Sequence, residues 1–534
     1  MEDIMTYLIF LLSFIALTAL IAFITHRATL YNQNKEIATL WDRRTALERF
    51  VRPYQNYTYI YDTYAKSDKL YVDDKTASDI DLDALFNQMN FCFTAIGEMH
   101  LYAALRGMFK VKTAALIDAF QTNVTFRLET SRILAQLGKR VYPSFPDQQT
   151  KPHIAPWPIL LSLLPIFSLG ILFYSIGLGI LITLTVLIFN SLLSMRMNKV
   201  VDNHMKDVTY TLNVIRIARE LQNVDGMPQH HNIDFKKFKQ VKRWSGFLAS
   251  PIQNFNEGQM IQDAIKQVFF LDYTIFYFIQ RELTAHEESV MACYDLIADV
   301  DAHYAVSLWR DAQDVITETT PSAYGVQCEG LAHPLITDPV CNDFNFDGNI
   351  LLTGSNASGK SSFMKAIALN IVIAEMSGVA LADRFEYQPG IVRSSMANQD
   401  DVLSGDSYFI AEIKSIKRLV NLKTPPHIYC FIDEIFKGTN TRERVAASTA
   451  LLLHITKQTD FQVMAATHDI ELTETLDPVY KNYHFNEVIK DNTIHFDYKV
   501  KLGPADTSNA IELLRIYDFP TDIYTNAKTQ AGKK

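Results

Sequence analysis

The sequence predicts a multidomain chain in which transmembrane helices and an all-α core precede an α/β domain built on a phosphate-binding loop. Three observations predict it. Uncharged stretches run from Ile4 to Thr25, 22 residues, and from Ile154 to Met195, 42 residues. The segments between and after them place aromatic and leucine residues at three- and four-residue intervals, the spacing of one helix face. Finally, the apolar run Ile350-Leu351-Leu352 leads into Gly354-Ser355-Asn356-Ala357-Ser358-Gly359-Lys360-Ser361.

About 20 apolar residues cross a bilayer, so the first uncharged stretch reads as one transmembrane helix and the second as a hairpin of two. Ser175, Gly177 and Gly179 supply the turn midway. The acidic start Met1-Glu2-Asp3 favours a retained anchor over a signal peptide, which begins with positive charge. Arg27, Lys35, Arg43 and Arg44 follow the first span, Lys139, Arg140 and Lys151 precede the hairpin, and Arg196 and Lys199 follow it. Basic loops stay in the cytoplasm, which predicts a multi-pass protein of the inner (cytoplasmic) membrane with its α/β domain in the cytoplasm. The expected divisions are an anchor over 1–27, helical core over 28–153, membrane hairpin over 154–195, a second helical core or lever over 196–324 and the α/β domain over 325–534. Within the core, Asp79-Ile-Asp-Leu-Asp83 reads as the cap of the helical run Ala84–Met89.

Composition narrows the partners. A net charge of −9 gives no overall electrostatic footprint for nucleic acid, although a local basic groove is compatible with it. Lys236, Lys237, Lys239, Lys242 and Arg243, with Trp244, form the densest basic run. It reads first as a solvated helix face, and otherwise as a contact for phosphates or anionic lipid. Cys92, Cys293, Cys328, Cys341 and Cys430 lack metal-ligand spacing and fit reduced, structural thiols. His230-His231 has no acidic or thiol neighbours and reads as a loop.

The chemistry gathers in the last third. Backbone N–H groups of a glycine-rich loop point inward at phosphates, Lys360 would reach the β- and γ-phosphates, and the Ser361 hydroxyl would ligate Mg²⁺. The run His427–Ile432 reads as a buried strand ending in Asp433-Glu434, a metal-linked aspartate followed by a glutamate that orients the attacking water. A second run, Phe461–Ala466, delivers Thr467-His468-Asp469 to a strand end. Ligands of open α/β sheets bind at carboxyl strand ends, so the three strands describe one nucleotide site.

From about residue 325 the chain resembles the ATPase domain of the MutS family of DNA mismatch repair proteins. The resemblance is carried by Thr353–Ser362, by Asp433-Glu-Ile-Phe-Lys-Gly-Thr-Asn-Thr441, by Ala466-Thr-His-Asp469 and by Asp400–Phe409 with Glu412, which is similar to the family's serine-glycine signature segment. His333-Pro334 resembles the dipeptide that opens that domain; the 79–106 segment and Ala298-Asp-Val-Asp301 through Ser307-Leu308 resemble parts of the family's helical core. The resemblance implies that Gly354, Ser355, Asn356, Ala357, Ser358, Gly359, Lys360, Ser361 and Ser362 hold ATP, and that Ser361 and Asp433 hold Mg²⁺. It further implies that Glu434 positions water, that His468 senses the γ-phosphate, that Ser407 acts in trans in a homodimer, and that Tyr498 stacks on adenine.

Two departures stand out. The signature carries Asp406 and Tyr408 where the family has a basic residue and a smaller hydroxyl. The amino-terminal mismatch-reading domain is replaced by the membrane anchor, and the phenylalanine-x-glutamate tripeptides at Phe255-Asn-Glu257 and Phe485-Asn-Glu487 lie in no such domain. The expected function is a membrane-anchored MutS-like ATPase that couples ATP binding and hydrolysis to conformational change, with DNA as its ligand but not mismatched DNA in particular. The alternatives are an ATP-driven membrane switch acting on a protein partner and, third, an ABC-type transporter.

Overall fold

The computed structural model describes residues 20–41 except 22, 26, 30 and 33, then 53, 56–65, 71–139, 145, 156–228, 233–241, 243, 266–355, 358–396, 408–420, 422, 427–457, 460–490, 493–505 and 510–531. Most of the expected anchor, His230-His231, Trp244 and Phe255-Asn-Glu257 lie outside the described residues. The chain is a mixed helix-and-sheet multidomain protein with two compact units. One comprises residues 1–42, 92–98 and 115–304; the other comprises 43–91, 99–114 and 305–534. The helical segment expected over 28–153 is therefore shared between the two units.

The first unit is helical, and its longest element runs unbroken from Ile176 to Gln222, 47 residues. The boundary expected at 195/196 falls inside that helix. Its opening stretch, Ile176–Lys199, is the one helix among the described residues long and apolar enough to cross a membrane. The hairpin expected over 154–195 is accordingly corrected: its first arm is not a spanning helix. Residues 157–173 break into the helices Trp157–Leu161 and Leu164–Gly170 and the short turn Ile171–Phe173. Even unbroken, 17 residues at 1.5 Å each would reach about 25 Å, short of an approximately 30 Å hydrocarbon core.

Proline causes the break. Pro165 sits in the first turn of its helix and has no N–H to offer the carbonyl of Leu161, four residues earlier. Asn190 supplies the missing donor: its amide donates to Leu161 O at 2.9 Å and to Val268 O at 3.0 Å. Further along this unit, two segments singled out in the sequence meet at Asp301. Its buried carboxylate accepts the Phe93 N–H at 2.9 Å, the Thr94 N–H at 2.8 Å and the Thr94 hydroxyl at 2.6 Å. Gly97 packs against it so closely that a Cβ would come within 2.2 Å of Asp301 Oδ2. Burial nevertheless lifts the Asp301 carboxyl to about 6, with the hydroxyl and amide bonds opposing the rise. The basic run is a solvated face where it is described, with Lys236, Lys237, Lys239 and Arg243 exposed while Phe238 and Val241 are buried.

The second unit is organised by a six-stranded sheet of β1 (Asn349–Thr353), β2 (Gly390–Ser395), β3 (His427–Asp433), β4 (Phe461–Thr467), β5 (Tyr480–Lys490) and β6 (Thr493–Leu502). Their order is β6-β5-β1-β4-β3-β2, all parallel except β6 against β5. Parallel strands covered on both faces need continuous apolar side chains. The sheet has them: Leu351, Ile428, Cys430, Ile432, Val463 and Ala465 form one buried cluster with Leu419 and Leu452 from flanking helices. Those helices are α1 (Lys360–Ser377), α2 (Tyr408–Val420) and α3 (Thr441–Ile455). A separate four-stranded sheet orders Thr320–Pro321, Arg384–Tyr387, Val326–Leu331 and Asn342–Phe346.

Residues 71–91 of this unit fasten to the β2 edge. Asp79 accepts the Ser394 hydroxyl at 2.8 Å and the Met396 N–H at 2.9 Å, so it does not cap the next helix. That helix starts at Leu82, with Asp81 before it in left-handed conformation and making no side-chain cap. Asp81 instead pairs with Lys365 of α1 at 2.6 Å.

Candidate nucleotide site

Register brings the candidate residues together. Thr353 of β1 stands opposite Thr467 of β4, and Ala466 stands opposite Asp433 of β3, so three neighbouring strands end at nearly one level. The chain leaves β1 through Gly354, whose φ of 145° a side chain would resist; a Cβ would also meet Ser358 Oγ at 2.8 Å and Phe485 O at 3.0 Å. Gly359, at φ 105°, is the cap position of the 18-residue helix α1. Free N–H groups and the positive end of the helix dipole therefore face the loop, the arrangement that binds phosphate.

Within the loop, Lys360 Nζ donates to Gly354 O and Ser355 O, each at 2.8 Å. Burial lowers its pKa, opposed by the carboxylates of Asp433, Glu434 and Glu487. The Ser361 hydroxyl donates to Asp433 Oδ2 at 2.5 Å. Burial raises the Asp433 carboxyl despite that bond, and its Oδ1 is buried without a partner. Ser358 Oγ is likewise buried and unpartnered. An orphaned carboxylate oxygen beside a serine hydroxyl suits a hard divalent cation, which takes oxygen ligands. The orphaned Ser358 hydroxyl and the cradle of Gly354 and Gly359 suit phosphate oxygens.

Glu434 follows Asp433 with φ 51°. Its N–H donates to Ala466 O at 3.0 Å, tying it to the neighbouring strand. His468 Nε2 lies 3.0 Å from Glu434 Oε1, and Lys437 pairs with Oε2. The His468 hydrogen bond is the largest cause holding the Glu434 carboxyl down at about 2, and Lys437 adds to it against the opposing effect of burial. Phe436 also has positive φ, 57°. Two such non-glycine residues cost on the order of 1–3 kcal/mol each unless their surroundings hold them. Asp469 takes a bidentate bond from Arg444 at 2.6 and 2.7 Å, anchoring the β4 end to α3.

The sequence-predicted residues thus divide as follows. Gly354, Ser355, Ser358, Gly359, Lys360, Ser361, Asp433, Glu434 and His468 meet around the strand ends, whereas Ser362 is exposed on the first turn of α1. Asn356, Ala357, Asp406 and Ser407 lie outside the described residues. Tyr498 is on β6, half-exposed, with its ring so near Gly359 that a Cβ there would sit 3.0 Å from Tyr498 Cδ1. Asn342 fixes that part of β6, donating to Tyr498 O at 3.0 Å and accepting the Val500 N–H at 2.9 Å. Phe485 is a core side chain packed on Phe363, and Glu487 of the same tripeptide accepts the Ser355 hydroxyl. Sequence reading missed Lys437 and Glu487 as neighbours of the site. Lys437 stood inside the Asp433–Thr441 run, but nothing in its spacing said that its side chain turns back on Glu434.

Residues 350–533 match the family model for MutS domain V. The last third of the chain is similar to that domain. DNA mismatch repair protein MutS of Streptococcus thermophilus (strain ATCC BAA-491 / LMD-9) is 27% identical over 285 residues, covering 51% of this chain and 33% of that protein. The protein of the same name from Streptococcus gordonii is 26% identical over 283 residues, 51% of this chain and 33% of its own length. That of Shouchella clausii is 26% identical over 281 residues, 50% and 32%. The chain spans about a third of the length of the curated MutS relatives it matches. The domain V match begins at β1 and takes in every strand of the six-stranded sheet.

Proposed function

We propose that this chain is a MutS-like, Mg²⁺-dependent ATPase whose active form is a homodimer tethered to the cytoplasmic membrane, with DNA as the ligand of its conformational change. The observation that carries the reading is the level meeting of Lys360, Ser361, Asp433, Glu434 and His468 at the ends of β1, β3 and β4. The loop N–H groups and Lys360 would take the β- and γ-phosphates, with Lys360 leaving the loop carbonyls it now bonds. Ser361 and Asp433 would hold Mg²⁺, which when bound supplies positive charge to the β- and γ-oxygens. Glu434, charged at neutral pH, would orient the attacking water. His468 holds Glu434 Oε1 and stands ready to turn toward the γ-phosphate. Tyr498 offers a ring beside Gly359 for the base.

The dimer rests on family resemblance at Ser407, DNA on the names of the relatives, and the membrane on the apolar stretch Ile176–Lys199. That stretch also favours a second reading, an ATP-driven switch acting on a membrane protein, because the same helix continues without a break to Gln222. Phosphate release by the full-length protein in detergent tests the ATPase. Lys360→Ala is expected to lose hydrolysis and nucleotide binding by about 100-fold or more, and Glu434→Ala to lose hydrolysis as deeply while still binding ATP and accumulating as a dimer. Unchanged hydrolysis in both variants overturns the site. Salt-sensitive DNA binding that stimulates hydrolysis supports the first reading, and its absence alongside crosslinks to a membrane protein favours the second.

A further inference from the structure

We propose that Glu412 is the positioning residue for Glu434, holding the strained turn that aims it. This rests on the ATPase reading above. The left-handed backbone of Glu434 and Phe436 persists only if neighbours over-determine it; Ala466 of β4 holds the Glu434 N–H, and the neighbours of residues 436–438 come from the first two turns of α2. Glu412 Oε1 accepts the Lys437 N–H at 3.1 Å, and the amides of Phe436 and Gly438 also favour its charge. One turn earlier, Phe409 meets Phe436 edge to face, ring centroids 6.4 Å apart. It also lies so close to Gly438 that a Cβ there would come within 2.9 Å of Phe409 Cβ. Polar and apolar contacts from one helix therefore fix residues 436–438.

The same turn carries Lys437, whose ammonium pairs with Glu434. Glu412 thus reaches Glu434 twice, through the backbone between 434 and 437 and through the Lys437 side chain. Its own situation is costly: it is 2% exposed and its Oε2 is buried without a partner. A carboxylate buried with one idle oxygen opposes folding, so what it holds, and not its own stability, accounts for its place. Burial accordingly raises its pKa, with the turn's amides pulling the other way.

The test measures steady-state hydrolysis and nucleotide affinity in the full-length protein. Glu412→Gln keeps an acceptor for Lys437 and is expected to lose about threefold in kcat; Glu412→Ala is expected to lose about 30-fold, each with KM and nucleotide affinity within about twofold of wild type. Adding Phe436→Gly to Glu412→Ala removes the cost of positive φ and is expected to recover about fivefold in kcat. A merely structural role predicts no such recovery and a parallel loss of affinity, and either result overturns the inference. If Glu412→Ala does not fold, Glu412→Gln with and without Phe436→Gly decides by the same readouts. Hydrolysis that is lost in Lys360→Ala but normal in Glu412→Ala overturns this inference alone, whereas hydrolysis indifferent to Lys360→Ala overturns the ATPase reading with it.

Discussion

Two stretches of this chain are similarly apolar and occupy opposite surroundings. In β3 the residues from Ile428 to Ile432 are at most 1% exposed, and all of β4 is buried. In the helix Ile176–Gln222, Ile176 is 73% exposed and Leu181 and Leu192 are each 65% exposed. Hydropathy states that a segment needs neighbours other than water; it does not say whose. The strands find theirs within the second unit, between α1, α2 and α3. The helix presents aliphatic side chains outward, as a membrane or a protein partner would require.

The sharpest way to break that comparison is to cut the same side chain in both places. Leu351→Ala removes a fully buried side chain from a central strand and is expected to cost about 2–5 kcal/mol, because the surrounding sheet cannot close the cavity. Leu181→Ala in detergent is expected to cost less than about 0.5 kcal/mol. Hydrogen exchange resolved by region reads the two separately. Equal losses would mean that the helix is packed in the folded protein after all.

A smaller effect probes the base of the apolar segment. Asn190→Leu leaves the Leu161 and Val268 carbonyls without their donor, and each orphaned group is expected to cost about 1–3 kcal/mol where water does not reach it. The loss should appear in residues 157–173 and 266–285 and leave hydrolysis of ATP within about twofold of wild type. Collapse of hydrolysis together with this local loss would show that the apolar segment and the nucleotide site are coupled.

These regions also differ in how much could be read beforehand. The meeting of strand β1, its glycine loop, Asp433-Glu434 and His468 was legible because each motif is local in sequence and follows an apolar run that forms a strand. Less visible was whatever depended on distant partners. The expected hairpin failed at Pro165, where a proline that length and hydropathy ignore interrupts the helix and calls on Asn190, 25 residues away. The segment Asp79–Asp83 looked like a helix cap because aspartate is favoured at the position before a helix. Asp79 is drawn instead to Ser394, more than 300 residues along the chain, a preference that no local pattern encodes. The role of Glu412 was similarly hidden, since its ligands are backbone amides that any sequence would provide.

The smallest predicted effect sets the two units against each other through pH. His333, in the second unit, accepts the Leu335 N–H on Nδ1 at 3.1 Å, which requires that nitrogen to be unprotonated. Burial, with Lys365 adding to it, lowers its pKa to about 4 from 6.5. Its contribution is therefore complete above pH 6.5 and is lost as pH falls toward 4, by at most about 1 kcal/mol per pH unit. Asp301, in the first unit, goes the other way: burial raises its carboxyl to about 6, so its fold is favoured when protonated and that advantage fades as pH rises through 6. Between pH 4 and 6.5 acidification is expected to loosen the surroundings of His333 and tighten those of Asp301, read as opposite changes in hydrogen-exchange protection at pH 5 and pH 7 after correction for intrinsic rates. His333→Gln should flatten the first trend and leave the second. A common slope in both regions, or one that survives the substitution around residue 333, would assign the pH response to groups other than these two.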